Sequence, residues 1–255
     1  MPGGRDGYAP VLERRGFHYV SGYTLLCAEI SHPDRAGTAD EWRSVRFLVG
    51  KICSGSQYPS CIFIQENMLV IVRQHFPIQE ALRLAEQLSA ALLENIAAPA
   101  GVHVGVSDIG MGYDGIHTAW RQAVSAMRLA VMKKAAVMHY HDIGVYKLLF
   151  GVESSRLLSD YVETTLGKLL DHDAKNNGDC AELLRCYFEN NCSVKEVAEV
   201  FGVHRNTVNY KLKQIRELLG SEFSDEDKMN LLLAFRAQEL LSTENTPWNP
   251  VSPDL

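Results

Sequence analysis

The sequence predicts an α+β chain: an N-terminal five-stranded sheet with helices, followed by an all-α helix-turn-helix domain. Three observations predict it. Up to about residue 150, short β-branched runs alternate with longer segments of helical periodicity. Beyond that point the chain reads as helices. Within it, residues 193–220 (SVKEVAEVFGVHRNTVNYKLKQIRELLG) give two helices parted by a sharp turn. The expected divisions are an extension (1–20), the sheet domain (21–150), a connecting helix and loop (151–178), the helix-turn-helix domain (179–241) and a disordered tail (242–255).

Taken in order, residues 23–30 (YTLLCAEI) read as a buried strand. Residues 39–54 read as a helix, opened by Thr38 with Glu41 three positions on as a capping box. CIFIQ (61–65) and LVIVRQ (69–74) flank Glu66–Asn67 as a hairpin. Residues 77–95 form a helix between Pro77 and Asn95. A strand at 102–107, a long helix at 115–133 and a strand at 136–140 complete the domain. The order β-α-β-β-α-β-α-β calls for one sheet with helices packed against it.

A helix over 155–170 carries Leu157, Leu158, Tyr161, Val162, Leu166, Leu169 and Leu170, suited to burial within the chain or to a dimer seam. Asp171, His172 and Asp173 are expected to close it. In the helix-turn-helix, Ser193 and Glu196 form a capping box, and Val194, Val197, Ala198 and Phe201 make the buried face. Gly202 takes the turn, Val203 plugs the corner, and a second helix runs from about His204 to Leu219. Ser224 with Asp227 caps a last helix bearing Met229, Leu232, Leu233, Phe235, Ala237, Leu240 and Leu241.

The second helix of the motif sorts its residues by face. Val208, Leu212, Ile215 and Leu219 make one apolar stripe. Arg205, Asn206, Asn209, Tyr210, Lys213 and Arg216 lie away from it, and no Asp or Glu falls between His204 and Arg216. Ordinary amphipathic helices also carry solvated charged faces. A basic, amide-bearing face behind a sharp turn is what major-groove reading needs, however: Arg forks onto guanine O6/N7 and Asn onto adenine N6/N7, while Lys, Thr and Tyr hold phosphates. The DNA-binding set read here is His204, Arg205, Asn206, Thr207, Asn209, Tyr210, Lys211 and Lys213.

Composition narrows the classes. The 255 residues carry a formal net charge of −6, which argues against indiscriminate polyanion binding but not against a local basic helix. Mean hydropathy is −0.10 and no stretch approaches a membrane span, so a cytoplasmic protein is expected. Six cysteines lack any C-x-x-C pair and read as reduced thiols; no cofactor or metal is expected. The even spacing of Cys180, Cys186 and Cys192 puts them on different sides of one helix and its turn. His139 and His141 alternate as an edge-strand pair without a third ligand. Glycines 101, 105, 110, 112 and 115 fit no phosphate-loop spacing.

The segment HRNTVNYKLKQIRELLG, preceded by LLRCYFENNCSVKEVAEVFGV, resembles the C-terminal helix-turn-helix of the PucR/CdaR family of bacterial transcription regulators. The likeness rests on Leu183, Leu184, Tyr187, Phe188, Asn190, Asn191, Ala198, His204, Arg205, Asn206, Thr207, Tyr210, Lys211 and Leu212. Lys211 stands where the family usually has Arg, which keeps the charge but loses the fork. The N-terminal part, through VHVGVSDIGMGYDGIHTAW and the exit Asp142, Ile143, Gly144, Tyr146, resembles a degenerate GGDEF-like domain. A cyclase of that class needs paired carboxylates and a Gly-Gly turn; this hairpin reads Ile64-Gln65-Glu66-Asn67-Met68, with Glu29 on the first strand, so no enzyme activity is expected. The resemblance implies a homodimeric regulator of catabolic or metabolic genes, binding double-stranded operator DNA and answering to a small-molecule effector. Family members usually carry a sensory domain ahead of this region, and this chain starts almost at the cyclase-like strand, so it is expected to be a fragment or to take its input by another route. The alternatives are a protein- or nucleotide-binding module using the same helices and, third, an active nucleotide cyclase.

Overall fold

In the computed structural model, residues 22–31, 38–55, 57–65, 68–74, 77–96, 101–152 and 154–242 are described. The expected extension, the tail beyond 242 and the hairpin pair Glu66–Asn67 lie outside them. The chain folds as two units, the first ending at Phe150 and the second running from Gly151.

The first unit is built on β1 (Gly22–Ser31), α1 (Ala39–Ser54), β2 (Ser60–Gln65), β3 (Met68–Gln74), α2 (Ile78–Asn95), β4 (Gly101–Val106), β5 (Gly110–Met111), α3 (Gly112–Lys133) and β6 (Val137–His139). Its sheet runs in the order β2-β3-β1-β4-β6, with β5 beside β1. β1 pairs antiparallel with both β3 and β4, and β4 with β6 is the parallel pair. The period-2 alternation of β1 decides which helix covers which face. Leu26, Ala28 and Ile30 pack with Val45 and Val49 of α1 and Leu84, Leu88 and Leu92 of α2. Tyr23, Leu25 and Cys27 pack with Ala119, Trp120, Ala123 and Met127 of α3. Three layers result, helix–sheet–helix. α3 comes so close that a side chain at Gly105 would meet the Ala123 carbonyl oxygen at 2.1 Å.

Five of the strands are those the sequence predicts; the two-residue β5 is additional, because so short a bridge has no periodicity to read. The Thr38 box is formed in both directions, Glu41 N–H donating to the hydroxyl at 3.3 Å and Thr38 N–H to the Glu41 carboxylate at 2.8 Å. β6 ends at His139 rather than at 140. His141 sits in the following 3₁₀ turn (Tyr140–Ile143) and stacks on His139, ring centroids 5.9 Å apart, so the two do not share a strand face. A one-turn helix α4 (Tyr146–Leu149) completes the unit.

The second unit comprises α5 (Ser155–Asn176), α6 (Cys180–Glu189), α7 (Val194–Phe201), α8 (Arg205–Leu219) and α9 (Asp225–Ser242). α5 runs on through residues 171–173 to Asn176, where Asn177 takes a left-handed conformation at φ 49°. Nothing in the Asp-His-Asp triplet breaks a helix; the stop is that left-handed cap. α9 packs along α5. Leu158, Val162, Leu166 and Leu169 are buried on one helix, Leu231, Ala234, Phe235, Ala237 and Leu240 on the other. The apolar side of α5 is therefore largely consumed within its own unit, with Leu157 left exposed. Ser224 and Asp227 cap α9 reciprocally, as their spacing predicts: Ser224 N–H donates to the carboxylate and Asp227 N–H to the hydroxyl.

Candidate nucleic-acid interface

Three short helices carry the candidate surface. α6 closes with Asn191 and Cys192 both at positive φ, 51° and 62°, and Cys192 N–H returning to the Tyr187 carbonyl at 2.8 Å. Ser193 then caps α7 by accepting from Glu196 N–H at 3.3 Å. The return bond expected from Glu196 is replaced, since Ser193 N–H donates to the Asn190 carbonyl at 3.0 Å. Gly202 turns the chain at φ 63°; no atom crowds the position, so backbone conformation rather than space favours glycine there. His204 caps α8, its Nδ1 accepting from Asn206 N–H at 3.2 Å.

Burial along α8 follows the predicted stripe except at its last member, Leu219, which is half-buried. Val208, Leu212 and Ile215 are buried, joining Val197 and Ala198 of α7 and Leu183, Leu184 and Phe188 of α6 in the core. Burying a Leu or Ile side chain contributes about 1.5–3 kcal/mol, so this stripe fixes the helix's rotation. The opposite face is thereby turned outward. Asn206, Tyr210 and Lys213, spaced by four and three, form its central row, with His204, Arg205, Thr207 and Asn209 beside it, and all seven are exposed. Tyr210 is 63% exposed and its hydroxyl accepts from the Gln214 amide at 3.2 Å.

Two basic residues are placed differently from the rest. Lys211 stands three residues after Val208 and four before Ile215, at the margin of the buried stripe, and its ammonium pairs with Asp179 just ahead of α6. Arg216, which the sequence puts on the open face, is half-buried with its guanidinium 4.8 Å from the Phe223 ring centre. Phe223 in turn meets Phe188 edge-on at 5.4 Å. Both cations therefore tie α8 to neighbouring segments of its own unit. The open charge of α8 comes from Arg205 and Lys213, the latter loosely facing Glu217 at 3.9 Å. At the elbow, Lys195 and Glu199 pair at 3.8 Å and, with Ala198, Val203, His204 and Arg205, line a shallow depression. Over residues 193–220 there are five basic and three acidic side chains, a locally positive segment of an acidic chain.

In the first unit, Glu29 is mostly buried. Desolvation raises its carboxyl above the usual range, against the opposing pull of His103 and Arg128. Glu66, the hairpin carboxylate, lies outside the described residues. No described helix is long and apolar enough to cross a membrane.

Residues 180–237 match the family model described as the PucR C-terminal helix-turn-helix domain, and residues 12–129 match that of the GGDEF-like domain. The chain is 31% identical to the purine catabolism regulatory protein of Bacillus subtilis over 210 residues, 77% of this chain and 38% of that protein. It is 23% identical to the proline-responsive transcriptional activator PutR of the same organism over 172 residues, 64% of this chain and 41% of that protein. The chain thus spans about two fifths of the length of these relatives. Among solved structures, a regulator of polyketide synthase expression from Bifidobacterium adolescentis aligns at 14% identity and a TM-score of 0.43, over 94% of this chain and 88% of that one, a likeness too loose to carry an argument. In chain order, then, a GGDEF-like domain precedes a PucR-type C-terminal helix-turn-helix domain.

Proposed function

We propose that this chain is a sequence-specific, DNA-binding transcription regulator that lays α8 in the major groove. The carrying observation is the outward row of Asn206, Tyr210 and Lys213, flanked by Arg205, with no acidic side chain before Glu217. In a helix-turn-helix the N-terminal part of the second helix meets the bases. Arg205 and Asn206, in the first turn of α8, are the base-reading residues of this proposal, with Asn209 beside them. His204, Thr207, Tyr210 and Lys213 hold phosphates. Lys211 is given a scaffolding part, setting α8 against α6 through Asp179.

One helix reads only a few base pairs, so a homodimer on two half-sites, about 34–36 Å apart, supplies the specificity. The GGDEF-like domain serves as scaffold, dimerisation surface or receiver of a small-molecule signal, and the protein acts in the cytoplasm. Selection of bound duplexes from a randomised pool tests the reading. One motif should emerge, preferred over scrambled sequence by about 10³-fold or more. A pool that never enriches, with weak binding indifferent to salt, would favour a protein-docking module instead.

A further inference from the structure

Read along the chain, neither the Asp171–Asp173 triplet nor the evenly spaced cysteines make a metal site. The fold joins parts of both. α5 continues to Asn176, the chain reverses at Asn177 and Gly178, and α6 starts at Cys180. This reversal brings one ligand atom each from His172, Asp173 and Cys180 within 4.8 Å of one another. His172 Nδ1 and Asp173 Oδ1 are already 3.6 Å apart.

Asp173 has an evident structural task, because its carboxylate accepts from Cys180 N–H at 3.0 Å and Ala181 N–H at 2.8 Å. That task alone would explain Asp173 and leave Cys180 a buried thiol. It does not explain His172, whose Nδ1 is buried without a hydrogen-bond partner. Buried polar atoms of this kind usually find one. The same two N–H bonds also fix the carboxylate's orientation, as outer-shell hydrogen bonds do for metal ligands. A side chain at Gly178 would stand 2.7 Å from Asp173 Oδ1, so the reversal is tight beside that oxygen, which also accepts from Cys180 N–H. The cluster is reached from outside through an open depression lined by His172, Cys180 and, from α8, Gln214, Ile215, Glu217 and Leu218.

We propose that His172, Asp173 and Cys180 form a binding site for a late first-row divalent transition metal, zinc in particular. A nitrogen, an oxygen and a sulfur donor suit zinc, whereas calcium and magnesium require oxygen ligands throughout. With Zn–S near 2.3 Å and Zn–N near 2.0 Å, donors around a tetrahedral ion lie about 3.3–3.6 Å apart. The His172–Asp173 pair lies close to that spacing, and the remaining separations, within 4.8 Å, require side-chain rotation to close. Water entering by the depression completes the shell. Binding forms a metal–sulfur bond and releases the Cys180 thiol proton to solvent. The site adjoins the inner side of α8, but the inference does not depend on the DNA reading, and its test is read without DNA.

The test uses the untagged 255-residue chain, stripped with a chelator, kept reduced by a phosphine and titrated with Co²⁺. The expected result is one equivalent bound, with a thiolate-to-cobalt charge-transfer band that one equivalent of Zn²⁺ removes. Cys180→Ser should abolish the band, while Cys186→Ser and Cys192→Ser leave it unchanged. His172→Gln, at a partly exposed side chain the fold tolerates, should weaken Co²⁺ binding by at least about 10-fold. A band that never forms or that survives Cys180→Ser, or an affinity unchanged in His172→Gln, overturns the proposal. Circular dichroism confirms that each variant is folded, and the His172→Gln affinity decides the matter if Cys180→Ser is not.

Discussion

Lys211 and Lys213 lie two residues apart on one helix and carry the same charge, yet the structure gives them different surroundings. The Lys213 side chain is 76% exposed and faces Glu217 at 3.9 Å. So loose a surface pair is worth about 0–1 kcal/mol, and the ammonium is free to turn to a phosphate. The Lys211 side chain is 27% exposed and committed to Asp179. Replacing Lys213 by Gln should remove one phosphate contact and lower the slope of log K against log salt by about 0.9 for each copy of the helix on the duplex. Between 50 and 200 mM salt that slope change corresponds to about 3.5-fold in affinity per copy. Lys211→Gln should leave the slope unchanged and lower stability by about 0–1 kcal/mol, since the lost pair is partly open to water. Fluorescence anisotropy on one duplex across a salt series, with urea melts of both variants, gives the comparison. An equal fall in slope for both lysines would refute the division of labour, and no fall for Lys213 would refute its place on the phosphates.

Other consequences are simpler to measure. Leu212 is 2% exposed at the centre of the α8 stripe, and Leu212→Ala should cost about 2–5 kcal/mol by thermal melting and weaken duplex binding with it. Gly202→Ala forces a Cβ into the left-handed region and should cost about 1–2 kcal/mol; a neutral result would place the turn's requirement elsewhere. The Asp227 carboxylate is held below the usual range by hydrogen bonds from the Ser221 and Ser224 hydroxyls and backbone N–H groups. A depressed folded pKa stabilises above the unfolded value and is lost as pH falls through the folded one. Stability should therefore drop on acidification below about pH 4, and Asp227→Asn should flatten that drop in acid melts.

Much of this was legible because it rests on local rules. The Thr38–Glu41 and Ser224–Asp227 boxes are three-residue signals, and the stripe of Val208, Leu212 and Ile215 is set by helical period alone. The five main strands are equally visible as β-branched runs. What sequence could not supply is tertiary. Arg216 looks solvated by period, but Phe223, seven residues on and in another segment, captures it. Lys211 looks like one of a basic row until Asp179, 32 residues earlier, is brought beside it. The meeting of His172, Asp173 and Cys180 depends on one left-handed residue, Asn177; an Asn suits that angle, but the sequence does not say which side chains the reversal brings together. The strand order, with β1 central between β3 and β4, likewise follows from pairings the one-dimensional pattern leaves open.

The DNA-binding proposal stands or falls with the outward face of α8. The most direct measurement is the affinity of Asn206→Ala for the selected duplex and for duplexes altered one base pair at a time. Asn206 is exposed and lies in the first turn of the helix, so its loss should cost about 1–3 kcal/mol and abolish discrimination at one base position while preserving it at the others. Affinity and base preferences indistinguishable from the unaltered protein would contradict the claim.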